Sequence, residues 1–198
     1  MQTKLEKVFP INASADATWR LLEDIKGVAA CMPGAEITEQ VDASHYKGQI
    51  RLKIGPASAA FAGTVDVTWK DAAQRKIHLT GKGMDTKGGS AASMDLAAEV
   101  RAVDGGRCEL VGNAEVTLSG KLASFGGRMI NQVSDQILKQ FGENFANRAH
   151  AASGDSKQAS TLASAPAREL NVLALLWNIA ADFFRKLFAR REKSGTPN

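Results

Sequence analysis

Hydrophobic and polar positions alternate with a period of two through the middle of the chain, then switch to steps of three and four. In HYKGQIRLKIG, Tyr46, Gly48, Ile50, Leu52 and Ile54 fall on one side, with Lys47, Gln49, Arg51 and Lys53 on the other. FAGTVDVTWKD places Phe61, Gly63, Val65, Val67 and Trp69 opposite Ala62, Thr64, Asp66, Thr68 and Lys70. RKIHLTGK sets Ile77, Leu79 and Gly81 against Lys76, His78, Thr80 and Lys82. Two more inward rows run Met94, Leu96, Ala98, Val100, Ala102 and Cys108, Leu110, Gly112, Ala114, Val116, Leu118, Gly120. Successive side chains of a strand point to opposite faces, so these rows predict an antiparallel sheet with one packed and one wet face. Asp104-Gly105-Gly106 between the last two rows predicts a hairpin turn.

Residues 1–10 predict a further strand. Ser14 is a good N-cap type with Asp16 in the turn after it, and Trp19, Leu22 and Ile25 recur at helical spacing. CMPGAE, Cys31 to Glu36, predicts a turn. From Ser124 the spacing changes. Phe125, Met129, Ile130, Val133, Ile137, Leu138, Phe141 and Phe145 mark one face of a helix running to about Ala149. Such a helix is roughly 35–40 Å long, enough to cross the sheet. Gly126 and Gly127 would loosen its first turn. AASGDSKQASTLASAPARE, Ala151 to Glu169, is rich in Ala and Ser and reads as a flexible linker. The expected organisation is a domain over 1–150, a linker over 151–169, a helix over 170–191 and a tail over 192–198.

The inward rows hold many small residues, among them Gly48, Gly63, Gly81, Ala98, Gly112, Ala114 and Gly120. Glycine weakens a strand, so its repeated use points to bending or close backbone approach. A curved sheet with small inward residues under one long helix leaves volume between the two. Leu52, Phe61, Val65, Leu79, Met94, Leu96, Met129 and Val133 are the candidate walls of an apolar pocket for a hydrophobic small molecule. Dense packing by larger neighbours is the competing expectation.

Charge changes the picture at the end of the chain. Residues 1–150 carry 18 Lys and Arg against 17 Asp and Glu, and residues 151–198 carry 7 against 4. A basic surface for nucleic acid is therefore not expected on the folded part. In LNVLALLWNIAADFFRKLFARR the charge-free run ends at Ala181, short of the roughly 20 apolar residues a span needs. Asn171, Asn178, Asp182 and Arg185 stack into one stripe. Leu173, Leu176, Trp177, Phe183, Phe184 and Phe188 cover the apolar side, and Arg185, Lys186, Arg190 and Arg191 make the end basic. That pattern predicts a helix lying in the membrane interface. Packing on a partner protein or a second copy, and a true span, are the alternatives. The start of the chain, MQTKLEKVFPINAS, has no long apolar core. The expected location is cytoplasmic, attached peripherally to the inner face of the cell membrane.

Catalytic and metal chemistry find little support. His45, His78 and His150 lack ligand spacing, and Cys31 and Cys108 form no CxxC pair, so both cysteines read as buried thiols. Asp85 and Asp95 are expected as ordinary carboxylates near the pocket mouth, and Gly81-x-Gly83 lacks the rest of a nucleotide fingerprint.

WRLLEDIKGVAACMPGAE, GPASAAFAGTV, GKGMDTKGGSAASM and LSGKLASFGGRMINQVSDQILKQF carry a resemblance. Its most specific pieces are Pro33-Gly34-Ala35, Gly83-x-Asp85 and the junction Gly120 to Gly126. The chain resembles the carbon monoxide dehydrogenase G-subunit family, of the START/Bet v 1-like (SRPBCC) superfamily. The resemblance implies an α+β helix-grip fold, with a curved antiparallel sheet of about seven strands wrapped around a long C-terminal helix. It also implies a non-enzymatic accessory of a carbon monoxide dehydrogenase-type molybdenum hydroxylase. Such a protein would have a cavity for a quinone-like guest, no covalently held cofactor, and a role in bringing enzyme or cargo to the membrane. A pure docking protein without ligand, and a small enzyme of the same superfamily, are the alternatives.

Overall fold

A computed structural model describes residues 1–54 and 57–154. The element order is β1 (Gln2–Ile11), α1 (Ala15–Glu23), α2 (Ile25–Ala29), β2 (Ala35–Gln40), β3 (His45–Ile54), β4 (Ala57–Asp71), β5 (Lys76–Asp85), β6 (Ser90–Val103), β7 (Arg107–Gly120) and α3 (Gly126–Ala152). Short 3-10 turns stand at Asp104–Gly106 and Ala123–Phe125. All seven strands form one antiparallel sheet in the order β1-β7-β6-β5-β4-β3-β2. This is the α+β helix-grip architecture that the resemblance implies, and its sheet and long helix are those that the alternation and the change of period predict. The expected terminal helix 170–191 and the expected tail lie outside the described residues, as does the expected linker beyond Gly154. Its first residues, Ala151 and Ala152, continue α3, which passes Ala149.

Local chemistry sets the ends of these elements. The Ser14 hydroxyl accepts a hydrogen bond from the Ala17 amide at 3.2 Å, satisfying one of the free donors of α1. At the turn before β2, Gly34 has φ +76°, and a Cβ there would stand 2.1 Å from the Arg51 carbonyl oxygen. Only glycine fits that approach, and the Gly34 carbonyl accepts from the Arg51 amide at 2.9 Å.

One end of α3 is tightly held. Phe145 and Ala149 are fully buried with Trp19, Leu22, Ile11, Leu110, Cys31 and Cys108. Phe9 meets Phe141 edge-on at 5.8 Å between ring centres, and Phe141 lies 5.6 Å from Phe145. Gly142 admits the Phe9 ring, because a Cβ there would sit 2.3 Å from it. Asn144 donates to the Cys31 carbonyl at 3.0 Å, and Cys31 Sγ donates to the Gly27 carbonyl at 3.3 Å. The other end rests on a smaller cluster of Phe61, Leu118, Leu122 and Ile130.

The inward rows fall where the alternation puts them, with one exception. The register slips between Val67 and Trp69, so Trp69 pairs with His78 instead of with an inward residue. This β-bulge turns the indole to the outer face, where it is 51% exposed. The sequence expectation that Trp69 points inward is therefore corrected.

Candidate functional site: the concave face under the long helix

The register lines up a trough of small residues across the sheet. Ala92 of β6, Gly83 of β5, Gly63 of β4 and Gly48 of β3 are consecutive partners in one row. The next row toward the closed end holds Val116, Met94, Gly81, Val65 and Tyr46. Two of these glycines answer to backbone crowding. A Cβ on Gly63 would stand 1.9 Å from the Lys82 carbonyl oxygen, and one on Gly48 would stand 2.8 Å from that of Glu36. They allow the sheet to coil tightly around α3. Gly81 and Gly83 are different, since a Cβ there would meet its nearest atoms at an ordinary 3.6 Å. At those two positions the missing side chain leaves room.

The proposed walls divide between the two clusters. Phe61 is buried in the cluster near the start of α3, with Leu52 and Val133 packed partly buried against it. Leu79 is buried in the cluster at the far end, with Leu96 packed against it. Val65 and Met94 lie between, half-buried, in the row beside the trough. Met94 Cε lies over Gly81, and Leu96 Cδ1 comes within 3.8 Å of the Cβ position of Gly112, so side chains fill part of the space the glycines leave. Met129, on the first turn of α3, is 40% exposed and belongs to neither cluster. α3 packs chiefly on α1 and β1. The inner face toward β3–β5 therefore has buried residues at Leu79 and Phe61 and half-buried ones, Val65 and Met94, between them. The membrane-contact candidates Leu173, Leu176, Trp177, Phe183, Phe184, Arg185, Lys186, Phe188, Arg190 and Arg191 lie outside the described residues.

Polar chemistry is scarce on this face. Lys7 of β1 bridges to Asp135 of α3 at 2.8 Å, joining sheet to helix between the two clusters. Asp85 accepts from the Lys87 amide at 3.2 Å, as a turn carboxylate does. Asp95 is not at the pocket mouth as expected. It stands on the outer face, 2.9 Å from His78 Nε2, while His78 Nδ1 lies 2.5 Å from the Thr68 hydroxyl. The Asp95 carboxylate can only accept, so Nε2 donates to it, while the Thr68 hydroxyl also stands 3.2 Å from the His78 carbonyl oxygen, to which it donates. This chain ties three strands together beside an outer groove of about 400 Å³ lined by Trp69, His78, Ala97, Glu99 and Asn113. The alternation could not reveal that groove, because the bulge that turns Trp69 outward leaves no trace in it.

The two thiols lie in the closed-end cluster, away from the trough. Burial pushes both up from the ordinary cysteine range. Arg148 opposes the rise at Cys31, and the hydrogen bond with Thr18 opposes it at Cys108. Among the described residues, no three His, Cys, Asp or Glu side chains stand close enough to hold a metal ion. No helix there is long and apolar enough to cross a membrane.

A sheet gripping one long helix over a partly open apolar face defines a START/Bet v 1-like protein, and solved structures agree. A conserved protein from Geobacillus kaustophilus superposes with a TM-score of 0.69 at 15% identity, covering 76% of this chain and 97% of its own. The Zhui aromatase/cyclase from Streptomyces sp. R1128 gives 0.54 at 17% identity, covering 76% and 94%. A START superfamily protein from Mycobacterium smegmatis gives 0.52 at 13% identity, covering 75% and 97%. At these identities the likeness is one of fold. Within that class, the profile of CoxG, the carbon monoxide dehydrogenase G-subunit family, matches residues 8–150, and the chain belongs to that family. No curated protein matches it.

Proposed function

We propose that this chain is a non-enzymatic carrier and accessory protein. It would hold a hydrophobic, quinone-like guest on its concave face and serve a carbon monoxide dehydrogenase-type molybdenum hydroxylase at the cytoplasmic membrane. The observation that carries the reading is the clearance at Gly81 and Gly83, beside the half-buried Val65 and Met94 and between the two buried clusters. A surface walled by Leu, Val, Phe and Met binds by shape and burial. Each methylene a guest buries there is worth about 0.8 kcal/mol. No proton transfer is needed for carriage. The family supports the accessory role and the choice of enzyme. The pattern of residues 170–191 supports attachment at the membrane interface.

The test is mass spectrometry of organic extracts from full-length protein purified from its native host. One lipophilic species recovered near equimolar amount supports carriage. Its absence, with the enzyme still captured, would leave a docking protein without cargo. Attachment is tested separately by vesicle flotation with and without residues 170–198, where equal flotation removes the terminal segment from the account.

A further inference from the structure

The antiparallel order brings the end of β3, the start of β4, the β5–β6 turn, the end of β7 and the start of α3 to one end of the domain. This end is basic. Arg51, Lys53, Lys87, Lys121 and Arg128 stand there, all exposed, against Asp85 and Glu36 as the acids. None of the five is in an ion pair among the described residues. Away from it, Lys47 pairs with Glu39, Lys70 with Glu23, Arg75 with Asp16 and Lys76 with Glu99, while Lys26 and Arg107 are in no ion pair among the described residues. The basic end also holds exposed apolar side chains, with Met84 at 69%, Phe125 at 41%, Met129 at 40% and Met1 at 38%. Large apolar side chains set among unpaired cations are what the headgroup region of an anionic bilayer accommodates: the cations meet the lipid charge, and Met and Phe enter the boundary below. An acidic protein surface would satisfy the cations but gives no reason for so many flexible apolar tips.

The segment is also built to hold its shape. The Lys121 amide donates to the Gly89 carbonyl at 2.8 Å, and the Leu122 amide donates to Ser90 Oγ at 3.2 Å, so the β5–β6 turn and the lead-in to α3 are joined. Gly120, at φ +69°, permits the contact, since a Cβ there would stand 1.9 Å from the Gly89 oxygen. Lys87 and Lys121 are thereby presented together.

We propose that this end of the folded domain, the sheet rim and the start of α3 beside the Phe61–Ile130 cluster, docks on an anionic lipid surface. The contact is additional to the one proposed for residues 170–191 and does not depend on it. The experiment uses the full chain carrying Met84→Cys, labelled with an environment-sensitive fluorophore. Cys31 and Cys108 are 1% exposed and do not compete for label. The probe is vesicles of phosphatidylcholine with about one-third phosphatidylglycerol, against pure phosphatidylcholine. The expected result is a blue shift with the anionic vesicles only. Combining Lys87→Glu, Lys121→Glu and Arg128→Glu should weaken binding about 10- to 100-fold. Reversing Lys26, Arg107 and Lys139, which lie elsewhere, should weaken it far less. No shift from position 84 in protein that floats with the vesicles would overturn the proposal while leaving terminal attachment intact. So would equal effects of the two sets of reversals, or a shift produced only by an acidic protein. A label at Phe125→Cys repeats the reading if the first variant fails to fold.

Discussion

The two ends of the long helix are built differently. At its C-terminal end α3 is held by stacked phenylalanines, a glycine that admits the Phe9 ring, and hydrogen bonds to the α2 region. At its N-terminal end its Ile130 rests on three buried residues, Phe61, Leu118 and Leu122, and it begins with two glycines, leaving Phe125 and Met129 part-exposed. The same sheet serves both ends, but α1 and α2 pack only against the C-terminal one. One end supplies stability to the fold. The other leaves apolar surface available to something besides the protein itself.

Removing the largest buried ring should sharpen the contrast most. Phe145→Ala is expected to destabilise the domain by about 3–5 kcal/mol, and Ile130→Ala, in the smaller cluster, by about 2–3 kcal/mol. Urea denaturation checks both, and equal losses would erase the distinction. Gly142→Val forces a side chain into the Phe9 ring and should cost about 1–3 kcal/mol, read as a lower melting temperature. Ser14→Ala removes the cap of α1, which packs on the held end of α3, and should cost about 1 kcal/mol by the same measurement.

The smallest effect is electrostatic and belongs to the β2–β3 turn, again away from the trough. Hydrogen bonding and charge from Asp42 raise the His45 pKa above 6.5. The Ser44 amide, followed by His45, lowers that of Asp42 below 3.8. The His45 contribution is complete below pH 6.5 and fades as pH rises through its folded value. The Asp42 contribution is complete above pH 3.8 and fades as pH falls through its own. Stability should therefore lose a small increment on going from pH 6 to pH 9 that His45→Gln abolishes. Both groups are exposed, and salt should diminish the effect.

Much of the fold is legible in the sequence. Period two marks the inward rows, period 3.6 marks the helix, and Ser14 marks a cap. Trp69 reads wrongly as inward-facing, because a one-residue bulge reverses every later side chain of a strand without altering composition or local propensity. The trough is half legible. Its glycines are visible in the sequence, but only the register places Gly48, Gly63 and Gly83 side by side. Nor can the sequence separate glycines that relieve crowding from glycines that leave space, since that depends on the Lys82 and Glu36 carbonyls. The basic end is hidden in the sequence, because Lys53, Lys87, Lys121 and Arg128 are far apart along a stretch whose charges nearly cancel. Antiparallel pairing alone gathers them.

The central claim is that the concave face between the two clusters takes a lipophilic guest. The most direct measurement is equilibrium binding of a short-chain quinone, read by tryptophan quenching, to the full chain and to Gly81→Leu. The Cβ position of Gly81 has ordinary clearance, so the variant should fold while its side chain reaches into the space beside Met94. Saturable binding to the unaltered chain, weakened at least about tenfold in the variant at unchanged melting temperature, is the expected result. No saturable binding, or equal affinity for both, would contradict the account.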